Sequence, residues 1–250
     1  MHLIDRIATT NRLAAVCGLE KLGFALGMLL LALLLPPLPG ALVVLAVVML
    51  ATLVVARVPA RSYLTLMAGP LTFLVLGLVP LLVTVGLGGP WFVRIGLAAG
   101  GPQLALGVGL RSLAGTSCLL FLALSTPVPQ FLGVLRRLHT PAVVTEVALL
   151  VYRYIWVFLG TVESIRVAQA SRLGYCSFSR SYRSLAMLAA AFFAQTLQRA
   201  RAMDHGLQAR NWQGELRVLE DAAGATLLGV SLVAVTLLST LSASVLWQRL

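Results

Sequence analysis

The sequence predicts an all-α protein that crosses a membrane several times, and three observations predict it. Apolar residues fill 59% of the 250 positions and charged residues only 11%, where soluble domains carry about a quarter; the mean hydropathy is +0.95. Five runs reach or approach the roughly 20 apolar residues that a transmembrane helix requires, near 22–38, 40–56, 64–87, 104–125 and 222–247. Eleven of the eighteen arginines lie in one stretch, 126–221, between the fourth and fifth runs. The chain therefore divides into N-terminal transmembrane helices (1–125), a cytoplasmic helical module with two long helices (126–221) and a C-terminal transmembrane helix (222–250).

The first nineteen residues include Asp5, Arg6, Asn11 and Arg12 and lack the continuous apolar core of a signal peptide, so the N-terminus is expected to be retained. The first two runs are joined by "PPLPG", where proline cannot continue a helix and glycine permits the reversal. A loop with Arg57 and Arg61 leads to the third run, and the fourth carries Arg111 near its start, where a long cationic side chain can snorkel to the interface. None of the five runs contains Asp or Glu. Secondary carriers place such groups inside the membrane to move ions, so the runs read as scaffold.

Within 126–221, "TPVPQFLGVLRRLHTP" reads as a short helix ending in Arg136 and Arg137, cations suited to a helix C-terminus. "PAVVTEVALLVYRYIWVFLGTVESIRVAQASRLG" follows as a long helix interrupted only by Gly160; its first half is apolar enough to enter a bilayer, while Glu146 and Arg153 tell against a simple lipid-facing span, so the sequence leaves open whether 141–160 is submerged. The next helix, near 180–208, places Tyr182, Leu185, Ala189, Phe192, Thr196, Ala200, Met203 and Leu207 at spacings of three and four, one amphipathic stripe. Its apolar centre, "LAMLAAAFFA", is too short to span a bilayer.

Charge then orients the chain. With the arginine-rich module inside, the 57–63 loop and the N-terminus with Arg6, Arg12 and Lys21 are inside too, as positive residues favour the cytoplasmic face. The opposite loops carry Arg94 alone, and Arg249 is the other exception. The net charge of +11 thus reports topology rather than nucleic-acid binding, since no RNA or DNA module signature is present.

Counting removes most chemistry. The single lysine, Lys21, stands in "LEKLG" and not in a phosphate-binding Gly-Lys-Ser/Thr loop. His2, His139 and His205 lack metal-ligand spacing, apart from Asp204 beside His205, and Cys17, Cys118 and Cys176 are scattered. No G-x-S-x-G or HExxH pattern occurs. No catalytic, cofactor-binding or metal-binding residue is therefore assigned. What stands out is a pair of arginine segments at the C-terminal ends of the two long helices, "AQASRLGY" and "QARNWQG". Each arginine can cap its own helix, or it can project into an acidic groove on another protein, where guanidinium pairs with carboxylate through a rigid fork.

At these segments the sequence resembles the transmembrane T component of energy-coupling-factor transporters, in the CbiQ branch associated with cobalt. "LVYRYIWVFLGTVESIRVAQASRLG" and "QTLQRARAMDHGLQARNWQG" carry the resemblance, which extends to "STPVPQFLGVLRRLHTP". It implies a non-catalytic energy-coupling subunit in the bacterial inner membrane, N-terminus cytoplasmic, working in an ATP-driven importer of cobalt ions that supplies cobalamin biosynthesis. It also implies two ABC-type ATPase subunits and a separate substrate-binding membrane subunit as partners besides lipid, with nucleotide and metal held by those partners. Ser171, Arg172, Leu173 and Ala209, Arg210, Asn211 match the two ATPase-docking motifs of the family, often Ala-Arg-Gly. The first departs on both sides of its arginine, and the second has Asn for Gly. The same role in a nickel or vitamin importer is the alternative; a stand-alone carrier would require acidic groups within the spans.

Overall fold

The computed structural model describes residues 3–36, 38–87, 93–97, 100–138, 140–211 and 227–249. In chain order the elements are α1 (Leu3–Thr10), a 3₁₀ turn (Arg12–Ala15), α2 (Gly18–Leu34), α3 (Pro39–Leu50) with a π-helical extension (Ala51–Val55), α4 (Ala60–Leu82), strands β1 (Val83–Leu87) and β2 (Val93–Leu97), α5 (Gly101–Ser125), α6 (Val128–Arg137), α7 (Ala142–Ser171), α8 (Phe178–Ala209) and α9 (Leu227–Arg249). The all-α membrane class holds. The one addition is the short hairpin of β1 and β2, antiparallel with Val83 opposite Leu97. The helix predicted to reach residue 87 stops at Leu82, just after Pro80, where proline and the β-branched Val83, Thr84 and Val85 favour extended backbone.

The chain forms two compact units, residues 1–131 with 222–250, and residues 132–221. In the first, α5 is central and packs on α1, α2, α3 and α4, while α9 packs on α2 and α3. The core joins Phe24 and Met28 of α2, Val44 and Val48 of α3, and Ala114, Cys118 and Phe121 of α5. Phe24 and Phe121 meet edge to face at 5.1 Å, the arrangement that aligns ring quadrupoles favourably. The inward face of α5 is lined by Gly107, Gly109, Ala114 and Ser117; small side chains let helix backbones approach closely, the packing mode available where lipid removes the hydrophobic drive. Leu64, Phe73, Leu76 and Val79 of α4 point outward with more than half of each side exposed. In water that face would be costly, and against acyl chains it is the natural one.

The described α4, α5 and α7 are each long and apolar enough to cross a membrane, and Pro39–Val55 and Gly229–Ser242 are shorter apolar helices. Two features depart from the sequence reading. First, α2 begins at Gly18, so Lys21, expected with the N-terminus ahead of the 22–38 run, lies inside the helix and is buried, as is Glu20. Second, α7 runs unbroken through Gly160 as one helix of 30 residues.

The second unit is built on α7 and α8, an antiparallel pair. Tyr154 donates to the Met203 sulfur at 3.0 Å, the Phe158 and Phe192 rings meet edge to face at 5.3 Å, and Gln169 Nε2 donates to the Ser184 carbonyl at 3.0 Å. Rising residue numbers on α7 meet falling numbers on α8, which fixes the opposed direction. Phe192, Thr196, Met203 and Leu207 of the predicted stripe turn inward, while Ala189 and Ala200 stay exposed. Tyr182 and Leu185 do not turn inward, with 73% and 56% exposure; there the inner positions are Ser181 and Ser184. Ser184 is drawn against the turn after α7 by its bond to the Gly174 carbonyl, and the inner face is displaced by one residue, to Ser181, Ser184 and Leu188.

Candidate functional site

Both arginine segments sit at helix ends of the same construction. Ser171 is the last residue of α7, Arg172 its C-cap (φ −94°, ψ 17°), and Leu173 is left-handed at φ 58°. Ala209 ends α8, Arg210 is its C-cap (φ −97°, ψ 15°), and Asn211 is left-handed at φ 55°. The orphan carbonyls of the first end are met by backbone donors: Leu173 N–H to Ala170 O at 3.0 Å and Gly174 N–H to Gln169 O at 2.9 Å. This is the Schellman pattern, which normally places glycine where Leu173 stands. At the second end Asn211 N–H donates to Gln208 O at 3.0 Å. The third position of each segment is thus left-handed, a conformation that glycine would adopt without a steric cost. Asparagine tolerates the left-handed region, and leucine enters it at a cost of about 1–2 kcal/mol.

The turn after Arg172 is held rigidly. Tyr175 Oη donates to Gln169 Oε1 at 2.7 Å, and Ser184 Oγ donates to the Gly174 carbonyl at 2.9 Å. A Cβ at Gly174 would stand 2.7 Å from Ser184 Oγ and 2.8 Å from Gln169 O, so only glycine fits. Ser177 caps α8, its Oγ accepting from the Arg180 N–H. Consequently Ser171, Arg172 and Leu173 project outward, as do Ala209, Arg210 and Asn211, all six exposed.

Neither guanidinium has a hydrogen bond or ion-pair partner among the described residues. The helix ends are capped by backbone N–H groups, and the arginine side chains are left over. Because α7 and α8 are antiparallel, the two arginines lie at opposite ends of the hairpin; the 32 residues of α8 span about 48 Å at 1.5 Å per residue.

Arg111, near the start of α5, is half-buried. Its Nε and Nη2 donate to the carbonyls of Ala32 (3.2 Å) and Leu35 (2.8 Å), closing the C-terminal end of α2. Among the described residues no three His, Cys, Asp or Glu side chains come together. The sequence reading missed polar residues at the other end of α2, where Glu20 and Lys21 are buried and Asn11 and Gln130 half-buried. A single lysine next to a glutamate, just ahead of an apolar run, was the available signal.

The cobalt transport protein family CbiQ matches residues 18–220. The cobalt transport protein CbiQ of Rhodobacter capsulatus is 40% identical over 243 residues, covering 97% of this chain and 98% of that protein. The CbiQ protein of Salmonella typhimurium is 32% identical over 225 residues, 86% of this chain and 99% of that one. A protein of Methanocorpusculum labreanum named as a fused cobalt transport protein, CbiMQ, is 32% identical over 241 residues, 93% of this chain and 40% of its own length.

Proposed function

Because the chain belongs to the CbiQ cobalt transport protein family, we propose that it is the membrane-embedded energy-coupling subunit of an energy-coupling-factor importer for cobalt ions. Two ABC-type ATPase subunits hold and hydrolyse ATP, and a separate membrane subunit holds the ion. This chain sits between them in the bacterial inner membrane with its N-terminus in the cytoplasm. The fused relative supports the membrane partner, since its name joins a second part to the CbiQ part in one polypeptide.

One observation carries the reading: two exposed arginines, without a partner among the described residues, each at a helix C-cap followed by a left-handed residue, at opposite ends of a single antiparallel hairpin. A separation of about 48 Å suits one contact on each of two ATPase subunits. In each contact the guanidinium enters an acidic groove, where planar paired bonds to carboxylate give strength and orientation. The rigid turn at Gly174 makes the first arginine a fixed peg, so closure of the two ATPases on ATP moves the hairpin as a body.

The reading is tested by purifying the chain expressed with its genomic neighbours and identifying what stays bound. An ABC ATPase together with a second membrane protein is expected. Cobalt transport by the chain alone, with no ATPase attached, would defeat it.

A further inference from the structure

Arg111 carries a charge that its own unit does not match. The Ala32 and Leu35 carbonyls that it bonds at the end of α2 are neutral acceptors, and a guanidinium has five N–H donors, more than these two carbonyls take up. The side-chain carboxylates of residues 1–131 and 222–250 are those of Asp5 and Glu20. Glu20 stands in the first turn of α2, about 18–22 Å along the helix from the carbonyls that Arg111 holds. Asp5 belongs to α1, and Asn11, just beyond α1, bonds the Leu124 carbonyl at the far end of α5. A cation at membrane depth is costly unless an anion meets it, so Arg111 is placed for an anion that this unit does not supply.

The guanidinium borders a cavity of about 470 Å³ whose walls include Leu38, Gln103, Leu104, Gly107 and Val108. Leu38, Leu104 and Val108 are 41–57% exposed, so the cavity opens along the lipid-facing side of the unit. One cation, one amide and otherwise apolar or glycine walls suit an amphiphile better than a free hydrated anion, which needs several donors at once. Depth agrees. The 17 residues of α2 extend about 25 Å, short of a hydrocarbon core of about 30 Å. A bilayer meets a short helix by thinning, which draws headgroups inward to its end, and that end is the one Arg111 holds.

We propose that this cavity binds one anionic phospholipid, its phosphodiester paired with the Arg111 guanidinium and an uncharged, hydroxyl-bearing headgroup bonded to Gln103. Planar guanidinium matches the two free oxygens of a phosphodiester. An ammonium headgroup is disfavoured, because no Asp or Glu occurs from 21 to 145 and the ammonium would meet the arginine cation instead of a carboxylate. The inference needs only the membrane fold and is independent of what is transported.

The test purifies the full chain in detergent with equimolar phosphatidylglycerol and phosphatidylethanolamine of matched acyl chains, and counts retained lipids by native mass spectrometry. The arginines of 126–221 also attract anionic lipid, so the readout is the difference between variants that leave them in place. Gln103→Glu puts a carboxylate into the cavity without touching the bonds to α2; it should weaken retention of one phosphatidylglycerol about five- to tenfold, the scale of one charge contact at a membrane surface, with phosphatidylethanolamine unchanged. Gln103→Lys should strengthen retention by a similar factor. Leu104→Trp fills the cavity from an exposed position with the cation intact and should lose the same lipid. Arg111→Gln should lose it as well, and where that variant does not fold the other three decide. Inorganic phosphate at millimolar concentration should leave the lipid in place. Phosphatidylglycerol retention unchanged in Gln103→Glu and Leu104→Trp, or an equal effect of Gln103→Glu on both lipids, would overturn the site. Displacement of the lipid by inorganic phosphate would show a site for free phosphate and overturn the lipid.

Discussion

Replacing Leu173 by glycine tests the claim that the first arginine is presented by a strained backbone. Leu173 holds φ 58° and is 66% exposed, so removing its side chain forfeits little burial. The left-handed conformation costs a non-glycine residue about 1–2 kcal/mol, whereas glycine brings about 0.5–1 kcal/mol of extra unfolded-state entropy. The difference leaves Leu173→Gly ahead by about 0.5–1 kcal/mol, a two- to fivefold slower opening of the turn. The reporters are the amides of Leu173 or its replacement and of Gly174, both bonded back into α7, followed by hydrogen exchange on the purified protein. Gly174→Ala is the opposite control, because its Cβ would meet Ser184 Oγ and Gln169 O below 3 Å; it should speed exchange at the same amides. Equal or faster exchange in Leu173→Gly would refute the strain argument.

Two further outcomes follow from packing and topology. Phe192→Ala removes the ring facing Phe158 and should cost about 2–3 kcal/mol, at or below the range for a fully buried phenylalanine because Phe192 is half-buried, while Arg183→Gln on the exposed side should stay within about 0.5 kcal/mol; denaturant titration in detergent reads both, and equal losses would show that the hairpin does not pack through Phe192. Cys176 is exposed whereas Cys17 and Cys118 are buried, so an impermeant maleimide should label Cys176 only in opened membranes and should label Gly100→Cys in intact cells; labelling of Cys176 from outside would reverse the orientation.

The positions of the long helices were legible because lipid imposes length and hydropathy on them, and the arginine-rich stretch was legible because it is a matter of composition rather than of any fold detail. What could not be read depends on partners distant in sequence. Lys21 was grouped with the N-terminal cations ahead of the first apolar run, and the partner that receives it inside α2, the Ser125 carbonyl at the end of α5, lies about a hundred residues away. The stripe of α8 was read correctly from Phe192 onward, except at Ala200, and missed at Tyr182, Leu185 and Ala189, where Ser181, Ser184 and Leu188 are the inner positions; Ser184 is drawn in by its bond to the Gly174 carbonyl. At the candidate site, the six residues stood out by composition and by resemblance, but the shared left-handed third position is a backbone property that the letters Leu and Asn do not announce.

The most direct measurement of the central claim is ATP-dependent Co²⁺ uptake, beside ATPase retention on purification, for the Arg172→Ala/Arg210→Ala double variant. Truncating one partner of a buried charged pair typically costs about 2–5 kcal/mol, and two such losses should release the ATPases and abolish uptake while the chain still inserts in the membrane. Lysine at both positions should restore the activity only partly, keeping the charge without the planar fork. Near-normal uptake and ATPase retention in the double alanine variant would contradict the account and remove both arginines from the mechanism.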